Sequence, residues 1–183
     1  TMNRPYALGV HIYAGGFTLG MRESLEVLDH VERNKLGDET ARRNLNLEVP
    51  MVYGEKPEDF AKVAQERVGA LGKHPQVVYG NPPCVAFSRL GTREYLNHPT
   101  IRDWWDWHRT VEAIRPDIAV LECVQQAWTR GQELVDIWTQ NFKELGYRTY
   151  ILLTDAYLHG APQLRARFHF IVSKVELNFP YPV

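Results

Sequence analysis

The segment 77–91, VVYGNPPCVAFSRLG, constrains the fold of this chain more than any other stretch. Its apolar start, residues 77–79, is typical of a buried strand that Gly80 ends. The Asn-Pro-Pro triplet at 81–83 must then run as an extended loop, because each proline fixes its own φ and restricts the preceding residue. Cys84 follows this rigid loop directly. The pattern predicts an α/β sheet with a thiol at its ligand-binding edge, although a lone cysteine is more often a small buried hydrophobe.

Composition narrows the class of protein. A length of 183 residues suits one domain with a substantial core, and 44% apolar and 23% charged residues are typical of a soluble globular protein without a membrane-spanning run. The two cysteines, Cys84 and Cys123, exclude a disulfide framework and a cysteine-rich zinc site and favour a reducing, intracellular setting. With a net charge of -1, the chain lacks the excess of basic residues that is usual in nucleic-acid-binding domains. Any DNA contact must therefore come from local arginines or from another chain.

The order of predicted elements indicates one α/β domain, residues 1–183, with a doubly wound, Rossmann-like sheet and a closing antiparallel β-hairpin. The predicted strands are residues 7–13, 26–31, 51–55, 77–79, 118–121, 148–155 and 166–173, and the predicted helices are residues 17–25, 57–71, 100–114 and 132–145. The last two strands form the hairpin. Thr100 and Asp103 have the spacing of a capping box, and Trp104, Trp105 and Ile137 are expected to face the core.

Two features near the amino terminus allow a cofactor site. Gly15 and Gly16 follow the first strand and precede a helix, an order that suits a ligand at the helix N-terminus but also a plain tight turn. Glu32 ends the second strand, where an acidic residue can bind both hydroxyls of a ribose. A solvated surface glutamate is an equal alternative on spacing alone.

The motif Gly-Asn-Pro-Pro-Cys-x-x-Phe-Ser at residues 80–88 resembles the catalytic loop of DNA (cytosine-5)-methyltransferases. A related loop, Asn-Pro-Pro followed by an aromatic residue, belongs to methyltransferases that act on an exocyclic amine and need no nucleophile. Carbon 5 of a pyrimidine requires prior addition of a thiolate at carbon 6. Cys84 at the fourth position therefore implies methyl transfer from S-adenosylmethionine to carbon 5 of cytosine, with Cys84 as the nucleophile.

Two further motifs extend the resemblance. The family has Glu-Asn-Val where this chain has residues 122–124, Glu-Cys-Val, which implies that Glu122 acts on the ring nitrogen of the pyrimidine and leaves Cys123 a packing role. Residues 159–167 resemble a motif whose core is Gln-x-Arg-x-Arg. The match implies catalytic-site roles for Arg165 and Arg167 and a place at the substrate for Gln163, and the 80–88 motif implies a place at the substrate for Ser88. Residues two apart share one face of a strand, so we expect Gln163, Arg165 and Arg167 to point at one ligand, although alternating arginines on an edge strand are otherwise solubilising charge.

The glycine turn resembles the first motif of the same family, Phe-x-Gly-x-Gly-Gly. His11 stands where that motif has Phe, and Tyr13 stands where it has the first Gly. The resemblance implies an S-adenosylmethionine site at the turn. The cofactor-binding residues that it predicts are Tyr13, Ala14, Gly15, Gly16, Phe17, Glu32, Arg33, Glu55 and Pro82. We expect Cys84, Glu122 and one of the two arginines to surround a pocket beside this turn, and we expect no metal.

The 183 residues resemble only the catalytic part of the family's architecture. The expected partner is cytosine-containing duplex DNA with the target base flipped out, and target recognition is expected from further residues or a second subunit that joins near residues 178–183. The resemblance implies a cytoplasmic, nucleoid-associated enzyme of prokaryotic or phage restriction-modification type. Two alternatives are modification of a free pyrimidine nucleotide at carbon 5 and a non-catalytic, methyltransferase-like regulatory subunit.

Overall fold

A computed structural model describes residues 4–45, 57–88 and 94–179, with the backbone alone at 57 and 58. Six of the described segments form one sheet in the order β2-β1-β3-β4-β6-β5. The strands are β1 (Tyr6–Val10), β2 (Glu26–Val31), β3 (Val77–Gly80), β4 (Ile118–Val124), β5 (Arg148–Asp155) and β6 (Ala166–Ser173). The helices are α1 (Gly16–Met21), α2 (Lys35–Leu45), α3 (Pro57–Leu71), α4 (Ile101–Ile114), α5 (Gln126–Arg130) and α6 (Gln132–Glu144).

The strand pairing confirms the doubly wound fold. β2, β1, β3 and β4 are parallel, whereas β6 pairs antiparallel with both β4 and β5 and closes the sheet as the predicted hairpin. The chain leaves β1 towards β2 on one side and returns to β3 on the other. The carboxyl ends of β1 and β3 therefore flank the switch point where open α/β sheets bind their ligands.

Several element bounds follow the local sequence pattern and others do not. The bounds of β2, α3, β5 and β6 are those predicted. β1 ends at Val10, earlier than expected, because His11 adopts a left-handed φ of 54°. α1 ends at Met21, and α2 and α5 were not predicted. The predicted strand at 51–55 lies outside the described residues.

A stripe of tryptophans forms the core beneath the switch point. Trp104 and Trp107 of α4 are buried, and their rings pack against Trp138 of α6 with centroids 6.1 and 5.6 Å away. The predicted core role of Trp104 is therefore confirmed. A Cβ on Gly80 would lie 2.5 Å from Trp107 Cδ1, so the glycine that ends β3 also makes room for this ring.

Two packing predictions are wrong. Thr100 makes no side-chain cap to α4; its hydroxyl lies 2.8 Å from His98 Nδ1, and Asp103 pairs with Arg33 instead. Ile137 is 43% exposed, because the inward face of α6 is already filled by Leu134 and Trp138. Among the described helices, none has the length and apolar character that crossing a bilayer requires.

Candidate functional site

The loop after β3 holds Cys84 at the surface on a rigid support. Asn81 N donates to Val10 O at 3.2 Å, and the Trp104 indole donates to Pro83 O at 3.1 Å. Beyond the cysteine, the amides of Phe87 and Ser88 both donate to Cys84 O at 3.0 Å. Phe87 is fully buried, whereas Cys84 is exposed with a free thiol. The loop is thus anchored on both sides of the thiol.

Glu122 lies beside this loop because β3 and β4 are neighbours in register. Gly80 pairs with Leu121, so the next residues, Asn81 and Glu122, are level with each other. The Asn81 side-chain amide donates to Glu122 O at 3.2 Å and also to the Glu122 carboxylate. The Cys84 loop and the Glu122 carboxylate are therefore held in one arrangement.

Arg167 approaches Glu122 from β6. Its Nε lies 2.7 Å from Glu122 Oε1, and both side chains are largely buried. Burial raises the pKa of the Glu122 carboxyl, while Arg167, Arg165 and the Asn81 amide act in the opposite direction without cancelling it. Burial also raises the pKa of the Cys123 thiol strongly, and Cys123 packs in the core as the sequence predicts.

A cavity of about 430 Å³ separates the Glu122 carboxylate from the glycine turn. Its lining residues are Ile12, Tyr13, Ala14, Gly16, Phe17, Asn81, Glu122, Arg165 and His169. Glu122 and Arg165 thus lie beside the Gly15-Gly16 turn. The lining of this cavity does not include Cys84, which lies on the same sheet edge, three residues beyond Asn81.

The arginine motif is split between a turn and a strand. β6 begins at Ala166, so Gln163 and Arg165 precede it and the expected single strand face is wrong. Asp155 Oδ1 accepts hydrogen bonds from Arg165 N and Tyr157 N, both at 3.0 Å, and holds this turn. Gln163, Arg165 and Arg167 nevertheless line one cavity of about 700 Å³, together with Gln125, Gln126, Asp155, Leu164 and Ala166.

A third cavity of about 270 Å³ contains Glu32. Its lining residues are His11, Tyr13, Glu32, Arg33, Asn34, Asn81, Pro83, Thr100, Arg102 and Asp103. Glu32 is only 3% exposed, so it is not a solvated surface residue. Its Oε1 accepts from Arg33 N and Asn34 N at 2.8 and 2.9 Å, and its Oε2 accepts from Tyr13 N at 3.0 Å. Burial opposes ionisation, but His11 and the backbone amides of Asn34 and Tyr13 outweigh it and lower the pKa of Glu32.

The other predicted cofactor and substrate residues lie around the same edge. Gly15 has a left-handed φ of 90° at the start of α1, and Pro82 is buried next to the exposed Pro83. Ser88 is half-buried in the turn after Cys84. Glu55 lies outside the described residues.

Tyr13 occupies a glycine-like position. Its φ of 46° is left-handed, a conformation that suits glycine best, and its side chain is 51% exposed. A Cβ on Gly37 would lie 2.7 Å from Tyr13 Cδ2, so the glycine in α2 accommodates the tyrosine ring. Sequence reasoning missed Gly37, because nothing local connects it with Tyr13.

The fold and the site define the class of protein: a doubly wound α/β protein whose switch point carries a loop with a free thiol, a largely buried carboxyl group and a glycine turn. Residues 11–182 match the family model of the C-5 cytosine-specific DNA methylases, and the chain belongs to this family.

Individual relatives agree with the family match. The chain is 28% identical to the type II methyltransferase M.FnuDI of Fusobacterium nucleatum over 93% of its length, and 30% identical to M1.HphI of Haemophilus parahaemolyticus over 92%. It spans 48% and 46% of these two relatives, which is about half of each. Among solved structures, the Entamoeba histolytica methyltransferase EhMeth superposes with a TM-score of 0.70 at 12% identity, covering 98% of this chain and 56% of that one. The last comparison supports the fold alone.

Proposed function

We propose that this chain is the catalytic part of a DNA (cytosine-5)-methyltransferase that transfers a methyl group from S-adenosylmethionine to carbon 5 of cytosine. The observation that carries the proposal is the arrangement of Cys84, Asn81 and Glu122. An exposed thiol lies on an anchored loop that Asn81 joins by hydrogen bonds to Glu122, a largely buried carboxyl whose pKa is raised, at the ligand-binding edge of the sheet.

The chemistry assigns one step to each side chain. The Cys84 thiolate forms a bond with carbon 6, and the electrons of the 5,6 double bond move into the ring while Glu122 supplies a proton or hydrogen bond at the ring nitrogen. Carbon 5 would then be nucleophilic enough to take the methyl group of S-adenosylmethionine, whose broken sulfur–carbon bond would leave S-adenosylhomocysteine. Loss of the carbon 5 proton to water or another base restores the double bond and expels the Cys84 thiolate, and the ring nitrogen returns its proton to Glu122.

The arginines suit the substrate side of this reaction. Arg165 and Arg167 line the cavity of about 700 Å³ with Gln163, and Arg165 also lines the cavity that contains Glu122. Guanidinium groups match a pyrimidine carbonyl or a phosphate by bidentate hydrogen bonding. A cytosine can reach such a site only after flipping out of the duplex. Ser88, in the turn after Cys84, is proposed to contact the same base.

The residues around the glycine turn fit S-adenosylmethionine, which supplies an electrophilic methyl group when bound. Glu32 is ionised and buried, and within the described chain its Oε2 accepts one hydrogen bond, from Tyr13 N, which leaves capacity for ribose hydroxyls. Arg33 and Tyr13 line the same cavity. Ala14, Gly15, Gly16 and Phe17 would hold the remainder of the cofactor, and Pro82 and Glu55 are proposed, from the resemblance, to belong to the same site.

The proposed partner is duplex DNA, with target recognition supplied by residues beyond this chain or by a second subunit. The carboxyl-terminal segment is the proposed junction. Up to Phe179 this segment docks on β5, because Leu177 N donates to Tyr150 Oη at 3.1 Å and the Phe179 ring packs on Tyr150 at 5.5 Å. Residues 180–183 lie outside the described part of the chain.

Covalent trapping tests the proposal. The wild-type chain and a Cys123→Ser control should form an adduct with 5-fluorocytosine DNA in the presence of S-adenosylmethionine, detected by mass spectrometry. Cys84→Ser should form none. Methylation or trapping that persists in Cys84→Ser would contradict the mechanism. A parallel incubation with free pyrimidine nucleotides distinguishes DNA from nucleotide as the substrate. Modification of a nucleotide but not of DNA would show that the proposed substrate is wrong.

A further inference from the structure

The His11 imidazole lies between two carboxylates at the inner end of the Glu32 cavity. Its Nε2 is 3.0 Å from Asp106 Oδ2 on α4, and its Nδ1 is 3.3 Å from Glu32 Oε1. The His11 side chain is 3% exposed, and its ring stacks on the Phe60 ring of α3 with centroids 4.7 Å apart. Both ring nitrogens therefore face an acceptor, on a side chain that is almost fully buried.

This geometry favours a doubly protonated ring. A neutral imidazole donates from one nitrogen and would direct the lone pair of the other at a carboxylate, whereas an imidazolium donates from both. The energetic balance agrees: burial lowers the pKa of His11, but Asp106 and Glu32 outweigh burial and raise it to about 9. His11 is therefore a cation at neutral pH, and Glu32 is its anion.

The charged groups around His11 come from two elements besides β1. Glu32 and Arg33 follow β2, and Asp103 and Asp106 project from α4. Arg33 Nη2 pairs with Asp106 Oδ2 at 2.5 Å, and Arg33 Nε lies 3.3 Å from Asp103 Oδ1. α3 presents the uncharged Phe60 ring, with the neighbouring Asp59 exposed. Arg102 Nε also lies 3.5 Å from Asp103 Oδ1, and Arg102 lines the same cavity. Three cations thus face three carboxyl groups, and loss of the His11 charge would leave Arg33 and Arg102 of this set.

The backbone holds His11 in a costly conformation. Its φ of 54° is left-handed, which is uncommon for residues other than glycine, and its N donates to Val31 O at 2.9 Å. Such strained positions persist where the surroundings over-determine them, and they cluster at ligand sites. Since the family motif has Phe at this place, the contacts of His11 to two carboxylates are a property of this chain's own sequence.

We propose that protonated His11 is a positioning residue of the cofactor site: it ties the Glu32 carboxylate to Asp106 on α4, so that cofactor affinity depends on the charge of His11. The inference rests on the proposed function, in which Glu32 binds the ribose of S-adenosylmethionine. Without the imidazolium, Glu32 and Asp106 would repel each other, and the Glu32 carboxylate would keep the hydrogen bonds from the Tyr13, Arg33 and Asn34 amides but lose its tie to α4.

Calorimetric titration with S-adenosylhomocysteine between pH 7 and 10 tests this role. Wild-type affinity should be constant to about pH 8.5 and then fall above about pH 9 towards a limit roughly tenfold lower, as His11 loses its proton. His11→Phe, which restores the family residue, should bind roughly tenfold more weakly at pH 7, as expected for the loss of a charged partner of Glu32. The affinity of His11→Phe should change with pH only through titration of the ligand and of groups other than residue 11. His11→Gln should also be free of the alkaline fall.

His108→Phe is the matched control, because it removes another buried histidine of the same region whose ring packs on Phe142 and Trp138. It should keep the wild-type affinity and pH profile. Parallel pH profiles for wild type and both His11 variants would overturn the inference while leaving the proposed function standing. Absence of S-adenosylhomocysteine binding by the wild-type chain would overturn the cofactor assignment and the inference together.

A measurement that needs no ligand covers the case in which the His11 variants fail to fold. The imidazole signal of His11, assigned in the histidine-labelled wild-type chain by nuclear magnetic resonance, should titrate near pH 9. A midpoint near the ordinary histidine value of about 6.5 would overturn the inference whatever the variants do.

Discussion

Arg167 and Glu122 form an ion pair across the antiparallel junction of β4 and β6, with Arg167 Nε 2.7 Å from Glu122 Oε1. The register places Arg167 opposite Val124, so its side chain must reach back along β4 to meet the carboxylate. The pair connects the closing hairpin with the parallel part of the sheet. It also favours the charged form of the carboxyl group beside the Cys84 loop, against the effect of burial.

Replacing Arg167 by Met should raise the pKa of Glu122 further, because a cation that favours the carboxylate is lost while burial remains. Since the folded-state pKa of Glu122 is raised, its stability contribution decreases as pH rises from the unfolded to the folded pKa, and in Arg167→Met this decrease should continue to higher pH. At pH 7 we expect a loss of about 2 kcal/mol, the usual worth of a charged hydrogen bond.

Carboxyl chemical shifts and urea unfolding at several pH values measure both effects. Arg148→Met is the control, since Arg148 pairs with Glu176 at the exposed outer edge of the sheet and should leave Glu122 unchanged. An unchanged Glu122 titration in Arg167→Met would show that the pair has no electrostatic role.

The two cysteines should differ in reactivity. Cys84 is exposed, whereas Cys123 is buried, and burial strongly raises the pKa of its thiol. A disulfide reagent at pH 8 should therefore modify Cys84 at least about a hundredfold faster than Cys123. Cys84→Ser should remove the fast phase, and Cys123→Ser should keep it. A fast phase that survives in Cys84→Ser would mean that the core around Cys123 opens readily.

The two glycines of the turn should respond oppositely to alanine. Gly15 has a φ of 90°, and a Cβ there would lie 2.7 Å from Leu45 Cδ1, so Gly15→Ala should cost about 1–3 kcal/mol. Gly16 begins α1, and a Cβ there would meet no atom of the described chain within 4 Å. Gly16→Ala should leave stability unchanged or raise it by up to about 1 kcal/mol. Equal effects in thermal unfolding would contradict the left-handed turn.

Acid should destabilise the fold partly through His108. Burial, with a smaller contribution from Arg109, lowers the pKa of His108 to about 4. The unfolded chain binds this proton near pH 6.5, so the stability present above that pH is lost as pH falls towards 4, by up to about 3 kcal/mol. His108→Phe should flatten this part of the stability curve, whereas His74→Gln, at an exposed position, should not. If the stability of His108→Phe falls as steeply between pH 6.5 and 4 as that of the wild-type chain, groups other than His108 cause the acid destabilisation.

Local patterns account for the parts of the fold that were predicted. The helix α3 begins at Pro57 and ends at Leu71 because a proline suits the first turn and Gly72 stops the apolar stripe, and both signals lie within the segment itself. The Pro-Pro-Cys loop is similarly local, since proline restricts its own backbone. α2 was missed, because its sequence is predominantly polar and its buried residues include Gly37 and Asp38, which sequence patterns assign to the surface.

The sequence by itself determined the parallel sheet and the rigid loop that carries Cys84. It also showed that the segments around Glu122 and the two arginines resemble motifs of one family. Only the tertiary structure decided which charged and polar side chains pair with each other. His11 and Asp106 are 95 residues apart, and Asn81 and Glu122 are 41 apart, so no periodicity links either pair. Both contacts exist because strand order and the packing of α4 bring separate segments to one edge. There, removal of water makes the charge of each group depend on its neighbours rather than on its own sequence position.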